Sequence, residues 1–410
     1  MNFFLVNQYS GNKGDRAVLF AMCKMLKSLY FDAQITVSTS DPELWEGYDY
    51  YLTEKIKFIP SAWDYKHVKS NKIYWRLLDR IKKYTFTIQR ESYLRHISLS
   101  NFFVNPKFRA ALNESDVVIS VGGHHFTTIL SRDLVSNINF DAMAVLAKKK
   151  MICFSQSFGP FVFHNDRNRI LTQELLSKCF LMPRENKSKD EIISFLGNDN
   201  NVFQTYESVL SLSKYIAYKP IESRDNVLGV AIYCTQRRSL EEKESYQKTI
   251  ATFCNYAIDH NYSIRFFPME LKNTGPDDRN FIDEIIYKIA NSNKCFVYDQ
   301  DMETMEHLEQ VSRCKIFLGH KTHSTIFALA TGTPLIALAY HPKTIEFLQQ
   351  FDLETCAIDD KDLSIRRLCD IFDLLTKHLE EVSQYEYSQS LKMAIKIEKD
   401  LSESINMLKQ

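Results

Sequence analysis

Short apolar runs alternate with longer segments of helical periodicity along most of the chain. In the first half the predicted strands are 2–6, 34–39, 117–121 and 151–155, and the predicted helices are 14–30, 134–148, 167–178 and 187–196. In the second half the predicted strands are 228–233, 263–267, 295–298, 315–318 and 335–339, and the predicted helices are 241–258, 278–291, 304–312 and 323–331. This alternation is typical of parallel sheets covered by helices. Because it runs along the chain twice, it predicts two doubly wound α/β domains.

The polar connector 218–226, YKPIESRDN, is the best candidate for the domain boundary. We therefore predict an N-terminal domain over 1–217 and a C-terminal domain over 218–380. A long charged helical pattern then predicts a C-terminal helix, 381–410, that packs back across the domains. Two Rossmann-type domains of this kind are expected to face a central cleft at the carboxyl ends of their strands, which is the GT-B-like architecture.

Composition narrows the class of protein. The chain has 410 residues, 45% of them hydrophobic, which is enough for well-packed cores. Its 51 basic and 51 acidic residues cancel, so the net charge indicates no nucleic acid or other polyanionic partner. The nine cysteines have no CxxC spacing, which favours buried reduced thiols. The first residues lack a basic n-region and predict a strand, not a signal peptide.

The segment 55–109 departs from the rest of the chain in charge. It holds thirteen Lys and Arg against three Asp and Glu and is rich in aromatic residues. Ile73, Leu77 and Ile81 lie along one predicted helical stripe. The segment is either a solvated helical face over the core or a surface that meets anionic lipid headgroups or a diphosphate-bearing substrate.

Two glycine-containing motifs follow predicted strands in the first half. The segment 9–15, YSGNKGD, joins the first strand to the first helix, where a helix N-terminus favours anions. Asp15 is either the N-cap of that helix or a base in the cleft. Gly122, Gly123, His124 and His125 follow another strand, and the two histidines have either structural roles or roles in the site. No sequence spacing supplies them with a third metal ligand.

Two further motifs stand at strand ends. The first is 155–161, SQSFGPF, and the second is 183–188, PRENKS, in which Asn186 or Ser188 is expected to cap a helix.

The run 318–343, LGHKTHSTIFALATGTPLIALAYHPK, is apolar enough to suggest a membrane span. Gly332-Thr333-Pro334 divides it, so a helix, a turn and a buried strand are predicted instead. Thr322 or Ser324 is the expected N-cap, and Gly332 is the expected C′ residue that terminates the helix. Lys321 and His323 then flank a helix N-terminus, an arrangement that suits a phosphate or carboxylate and proton transfer.

Taken together, these motifs resemble the polysaccharide pyruvyl transferase family. The ordered matches are Asn12-Lys13-Gly14-Asp15, Gly122-Gly123-His124, Gln156-Ser157-Phe158-Gly159-Pro160-Phe161, Arg184-Glu185 with Ser188, Lys321-Thr322-His323, and Gly332-Thr333-Pro334 with Tyr340-His341-Pro342-Lys343. Lys321-Thr322-His323 stands where the family usually has Arg-Leu-His. Lysine keeps the charge but lacks the bidentate fork of arginine.

The resemblance implies transfer of the pyruvyl group of phosphoenolpyruvate to a sugar, with formation of a cyclic ketal. Phosphoenolpyruvate is then a co-substrate, and the chemistry requires no cofactor and no metal. The N-terminal domain is expected on the acceptor side and the C-terminal domain on the donor side. His323 is the expected acid and Asp15 the expected base. The expected donor-binding residues are Lys321, Thr322, His323, Arg184, Arg237, Arg238 and Lys343, and the expected acceptor-binding residues are Asn12, Gly14, Asp15, Gly122, Gly123, His124 and Gln156.

The acceptor is expected to be a lipid-diphosphate-linked precursor of a bacterial surface polysaccharide, with 4,6-linked galactose as the default sugar. The protein is then expected in the cytoplasm, at the inner face of the membrane. Two other functions fit the same pattern: a GT-B nucleotide-sugar glycosyltransferase, and a noncatalytic scaffold of a glycan assembly complex that uses the basic segment.

Overall fold

The computed structural model describes residues 1–8, 12–45, 47–62, 104–128, 148–233, 238–271, 277–298, 300–340 and 342–409, with isolated residues between 74 and 92 and at 141 and 145. Most of the predicted helix 134–148 and of the basic segment lies outside the described residues. Arg237 and His341 lie outside them too.

The chain divides into two compact units. The first unit comprises Met1–Tyr9, Met22–Glu207 and Lys399–Gln410, and the second comprises Ser10–Ala21 and Ser208–Glu398. This division differs from the predicted domains of 1–217, 218–380 and 381–410. The 3₁₀ helix Ser208–Tyr215 joins the second unit because it packs against the helix Thr322–Thr331. Residues 10–21 join it because the Lys13 amide donates to the Met269 carbonyl (3.2 Å) and Arg16 pairs with Asp301 (2.5 Å).

The first unit is built on a parallel sheet. Its strands are β1 (Asn2–Gln8), β2 (Gln34–Thr39), β3 (Lys57–Pro60), β4 (Val117–Ser120), β5 (Gly123–Phe126), β6 (Ile152–Phe158) and β7 (Phe180–Pro183). They pair in the order β3-β2-β1-β4-β6-β5, and β7 also pairs with β6. The central strands are buried along nearly their whole length, as expected for a parallel sheet covered on both faces. Each contains an apolar run followed by buried polar residues toward its carboxyl end, as in β6, ICFSQSF.

The helices of this part of the chain are α1 (Lys13–Leu29), α2 (Asp49–Thr53), α3 (Pro106–Glu114), α4 (Asp166–Leu176) and α5 (Asn186–Leu196). The Asn105 and Asn165 side chains cap α3 and α4. Helix α5 ends at Gly197, whose φ of 75° is left-handed. The predicted caps of α5, Asn186 or Ser188, are wrong, because Glu185 is the N-cap residue and the Ser188 hydroxyl accepts from the Phe158 amide (3.0 Å).

The second unit has the strand order of a complete doubly wound sheet. Its strands are β8 (Asp225–Ala231), β9 (Ser263–Phe266), β10 (Cys295–Val297), β11 (Cys314–Gly319), β12 (Leu335–Ala339) and β13 (Ala357–Asp359), paired in parallel as β10-β9-β8-β11-β12-β13. The helices are α6 (Leu240–Asp259), α7 (Asp278–Ile286), α8 (Thr304–Ser312), α9 (Thr322–Thr331), α10 (Pro342–Gln349), α11 (Ile365–Lys377) and α12 (Leu379–Lys409). The order reverses between β8 and β11, which is the point where ligands bind in such sheets.

The apolar run of 318–343 is part of this unit's core. Strand β12 is wholly buried, and α9 ends at Gly332 with a φ of 61°, which confirms the predicted terminator. The predicted N-caps Thr322 and Ser324 are wrong by one to three residues, because Lys321 occupies that position. Within the described part of the chain, no helix combines the length and apolar character needed to cross a bilayer. The eight described cysteines are free thiols.

Candidate active site

The strongest candidate site lies at the carboxyl edge of the second sheet. Tyr233 follows β8, Glu270 follows β9, Lys321 follows β11 and Tyr340 follows β12. These strands flank the reversal of strand order, so their end loops converge by topology. The first turn of α1 completes the wall. The cavity measures about 150 Å³ and is lined by Asn12, Gly14, Tyr233, Met269, Glu270, Lys321, Thr322, His323 and Tyr340.

The Lys321 ammonium is held by carboxylates. Its Nζ lies 3.2 and 3.3 Å from the two oxygens of Asp278 and 3.4 Å from Oε1 of Glu270. It also lies 5.3 Å from the centre of the Tyr233 ring. Lys321 is buried, so these contacts compensate its charge inside the protein. The site is therefore not the plain cationic pocket that the sequence suggested.

Asp278 fixes the loop that carries Glu270. Its Oδ2 accepts from the backbone amides of Met269 (2.9 Å) and Glu270 (2.8 Å), and its own amide donates to the Glu270 carbonyl (3.1 Å). Asp278 is buried at the first turn of α7. The loop after β9 and the start of α9 are thus joined through one carboxylate.

The first turn of α1 packs directly against His323. A Cβ atom on Gly14 would lie 2.3 Å from Nδ1 and 2.5 Å from Cγ of that ring, so any larger residue must displace the ring or the helix. The predicted N-cap role of Asp15 is wrong. Asn12 caps the helix, because its Oδ1 accepts from the Asp15 amide (2.9 Å) while its Nδ2 donates to Asp15 Oδ2 (2.9 Å).

Glu270 has an unusual electrostatic position. Its side chain is one-quarter exposed and faces the cavity. Burial, opposed by the Lys321 charge and reinforced by the carboxylates of Asp278 and Asp15, raises its pKa above the ordinary value.

A buried polar network supports the pocket from behind. The Tyr246 hydroxyl and His320 Nδ1 are 2.8 Å apart, His320 Nε2 lies 3.3 Å from Asp360, and Asp360 pairs with Arg238 (2.5 and 2.6 Å). Arg238 also donates to the Tyr233 carbonyl (3.0 Å). Burial lowers the pKa of His320, which favours its neutral form. The predicted donor-binding Arg238 is therefore committed to Asp360 and to the loop that carries Tyr233.

Lys13, the first residue of α1, and His307, in α8, are both buried. Burial lowers the pKa of Lys13 to about 8, although the Asp301 carboxylate opposes the shift. Burial, with the charges of Lys13 and Arg16, lowers the pKa of His307 well below its ordinary value. Among the described residues, neither the Lys13 ammonium nor either His307 ring nitrogen has a hydrogen-bond partner.

The predicted acceptor-side residues Gly122, Gly123, His124 and Gln156 lie in the first unit, at the carboxyl edge of its sheet. Gln156 Nε2 donates to the Ser120 hydroxyl (2.9 Å) and carbonyl (3.2 Å), and it also contacts the Val121 carbonyl. His124 Nε2 lies 2.7 Å from the Gly159 carbonyl oxygen. These contacts hold polar side chains along the carboxyl edge of that sheet, which we call the polar edge of the first unit.

Arg184 is also in the first unit and is buried. Its guanidinium contacts Glu207, the Ser157 hydroxyl (2.9 Å) and Glu185 (3.3 Å). Two buried carboxylates compensate its charge, so Arg184 forms a buried ion-pair cluster and not an open site for an anion. Lys343, the last predicted donor-binding residue, lies in the first turn of α10.

The described pocket thus brings together five residues predicted from the sequence: Asn12, Gly14, Lys321, Thr322 and His323. Sequence reasoning did not assign roles to Tyr233, Met269, Glu270 or Asp278. The available signal was their position, since Tyr233 ends a predicted strand and Met269 and Glu270 closely follow another. Parallel strands place such loops at one edge.

Comparison with solved structures identifies the fold. The complex of S. aureus MnaA with UDP matches with a TM-score of 0.60 and 11% identity, over 100% of this chain and 98% of that chain. UDP-GlcNAc 2-epimerase from Neisseria meningitidis, bound to UDP-GlcNAc, matches with a TM-score of 0.59 and 12% identity, over 99% and 100%. The fold is therefore of the GT-B class, which confirms the prediction of two parallel-sheet α/β domains.

Sequence comparison identifies the family. The model of the family described as "Polysaccharide pyruvyl transferase" matches residues 12–342. The amylovoran biosynthesis protein AmsJ of Erwinia amylovora is 23% identical over 400 residues, which cover 88% of this chain and 89% of AmsJ. The chain belongs to the polysaccharide pyruvyl transferase family, as its ordered motifs predicted. Membership makes it a pyruvyltransferase-type enzyme of polysaccharide biosynthesis, with a sugar acceptor as its partner.

Proposed function

We propose that this enzyme transfers the pyruvyl group of phosphoenolpyruvate to two hydroxyls of a sugar and so forms a cyclic ketal. The observation that carries the proposal is the pocket at the N-terminus of α9, where Lys321, Thr322 and His323 line a small cavity at the switch point of the sheet. The first turn of a helix offers backbone N–H groups and a partial positive charge to an anion.

The charge at the start of α9 favours a small anionic donor. Lys321 is the N-cap residue of this helix, and its first turn contains no acidic residue. A lysine beside a helix N-terminus suits a phosphate or a carboxylate. This arrangement supports the pyruvyl donor over the glycosyltransferase alternative.

The chemistry places requirements on the pocket. Protonation of the methylene carbon makes the adjacent carbon electrophilic, a sugar hydroxyl attacks it, phosphate leaves, and a second hydroxyl closes the ketal. The site needs a cation and helix dipole for the donor's anionic groups and at least one proton-transfer residue. Lys321 and the first turn of α9 serve the donor, and His323 serves proton transfer. We keep Asp15 as the candidate base and the polar edge of the first unit as the candidate acceptor surface.

For the acceptor we propose a lipid-linked sugar, with 4,6-linked galactose as the first to test. The support is a row of exposed apolar residues within the basic segment: Tyr74, Leu77, Ile81, Tyr84 and Ile88 are 65, 55, 54, 71 and 49% exposed. They are helical and recur at intervals of three to four residues. An apolar stripe within a segment that carries ten net positive charges suits an anionic lipid surface.

Vesicle co-sedimentation tests the membrane part of this proposal. The protein should bind phosphatidylglycerol-containing vesicles and not pure phosphatidylcholine vesicles. Leu77→Ser with Ile81→Ser should release it, whereas Ile395→Ser, which removes a 63% exposed side chain elsewhere, should not. Equal binding to both vesicle types would exclude charge-dependent docking.

Mass spectrometry tests the transferase activity. Candidate lipid-linked sugars and methyl glycosides, including methyl β-galactoside, are incubated with the enzyme and phosphoenolpyruvate. The expected product gains pyruvic acid less one water, with one phosphate released per ketal. Lys321→Gln and His323→Ala should abolish both signals. A requirement for a nucleotide sugar, or a failure to bind phosphoenolpyruvate, would refute the proposal.

A further inference from the structure

The pocket contains a carboxylate where an anionic donor is expected. Glu270 lines the cavity together with Lys321, Thr322, His323 and Tyr340. Its Oε1 is 3.4 Å from Lys321 Nζ, and its backbone is fixed on both sides by Asp278. Its position is therefore set by the fold, and its side chain still reaches the space that a ligand would occupy.

A bound donor anion and an ionised Glu270 would repel each other in this pocket. Lys321 cannot compensate both, because Asp278 already lies 3.2 Å from its ammonium. In a partly buried site, repulsion between two neighbouring negative charges lowers the affinity for the anion. Protonation of Glu270 removes the conflict and leaves a carboxylic acid beside the donor.

Resting on the proposed function, we infer that Glu270 is a catalytic residue that takes up a proton when phosphoenolpyruvate binds and delivers it to the methylene carbon. The surroundings of Glu270 agree with this role. The charged groups that face it are Lys321 from the start of α9, Asp278 from α7 and Asp15 from α1, with the Tyr233, Tyr340 and His323 rings in the same wall. Burial and the two carboxylates raise its pKa, and Lys321 opposes them.

The step balances in atoms and charge. The electron pair of the carbon–carbon double bond takes the Glu270 proton, and a methyl group forms. The oxygen of the first sugar hydroxyl bonds to the adjacent carbon, and its proton returns to the Glu270 carboxylate. The carbon–oxygen bond to phosphate then breaks with its electron pair. The second hydroxyl closes the ketal, and its proton passes to the departing phosphate, which leaves as hydrogen phosphate. Asp15, as the base for this hydroxyl, and His323 can carry that transfer.

Calorimetry of phosphoenolpyruvate binding tests the proton uptake without any acceptor. Binding is measured in buffers of different ionisation enthalpy at pH 7.5. The wild-type protein should take up more protons per ligand than Glu270→Gln, because only wild type can protonate this carboxylate. Glu270→Gln should bind phosphoenolpyruvate at least as tightly as wild type, since the amide is neutral and of the same size. Glu309→Gln is the matched control, because Glu309 pairs with Lys219 (2.7 Å) outside the pocket.

Measurement of kcat distinguishes a Glu270 that donates a proton from a Glu270 that only positions Lys321. For Glu270→Gln we expect kcat to fall by roughly 10²–10⁴-fold without weaker donor binding. Glu270→Asp should recover part of the rate, and Glu309→Gln should match wild type. Weaker donor binding in Glu270→Gln, equal proton uptake in both proteins, or a kcat within threefold of wild type would overturn the inference. Absence of phosphoenolpyruvate binding by wild type would overturn the proposed function, and this inference with it.

Discussion

Substitution of Gly14 by alanine tests the contact between the first turn of α1 and His323. The added Cβ would lie 2.3 Å from Nδ1, 2.5 Å from Cγ and 2.9 Å from Cβ of His323. The backbone of Gly14 does not have a left-handed φ, so alanine fits the local conformation. A loss of stability therefore comes from the overlap with His323, because Gly→Ala in a compatible conformation otherwise stabilises a protein by roughly 0.4–1 kcal/mol.

The size of the effect follows from these distances. Ordinary van der Waals contacts begin at 3.4 Å, so the ring or the helix must move by roughly 1 Å. Overpacking of this kind costs roughly 1–3 kcal/mol of stability. A displacement of about 1 Å in a reacting group can lower the rate by about 10²-fold. We expect Gly14→Ala to lose about that much in kcat/KM while it remains folded.

Urea unfolding and steady-state phosphate release measure the two effects. Gly229→Ala is the matched control, because its Cβ would lie 2.5 Å from the Phe317 ring in the sheet core, away from the pocket. This control should lose stability and keep the kcat/KM of its folded fraction. The stability cost of Gly14→Ala should be clearly smaller in a His323→Ala background, which removes the ring atoms at 2.3 and 2.5 Å and leaves only the Cβ atom at 2.9 Å. An unchanged cost in that background, or wild-type activity in Gly14→Ala, would refute the contact.

Two further predictions concern buried charges. The depressed pKa of Lys13, about 8 against 10.5, means that its charged form destabilises the fold below pH 8 and that this penalty fades as the pH rises to 10.5. Lys13→Met should therefore be more stable than wild type at pH 7 by up to about 3 kcal/mol, a gain that disappears by pH 10.5 in urea unfolding. Arg184→Met removes the buried countercharge of Glu207 and should lower the free energy of unfolding by roughly 3–5 kcal/mol. Lys178→Met removes an exposed ion pair with Glu174 and should lower it by under about 1 kcal/mol.

Most of the longer elements could be predicted because their periodicity is local. Strand β12 and helix α8 have the predicted limits, since each is a run of one hydrophobic period between clear breakers. Strand β5 was not predicted, because its sequence GHHF has no apolar run and pairs only by its position beside β6. Strands β3 and β13 are not predicted, because β3, KFIP, ends in proline and β13, AID, is a three-residue strand that ends in aspartate.

The cluster at the start of α9 could be predicted in part, because the helix N-terminus and its flanking lysine and histidine are neighbours in sequence. The partners of Lys321 could not. Asp278 lies 43 residues away, at the first turn of a helix that follows a different strand. No local pattern marks it, and its contact depends on the order in which β9 and β11 join the sheet.

The contact of Asp278 with Lys321 changes the expected charge of the pocket at the start of α9. From the sequence alone, lysine and histidine at a helix N-terminus predict a cationic pocket that binds an anion by attraction. In the folded protein, Asp278 and Glu270 already face the lysine, so the anion must either displace a carboxylate or arrive with a proton. Asp278 is held by two backbone amides and cannot easily yield, whereas Glu270 lines the cavity and has a raised pKa. The arrangement therefore couples donor binding to protonation of the one residue that can then hand its proton to the donor.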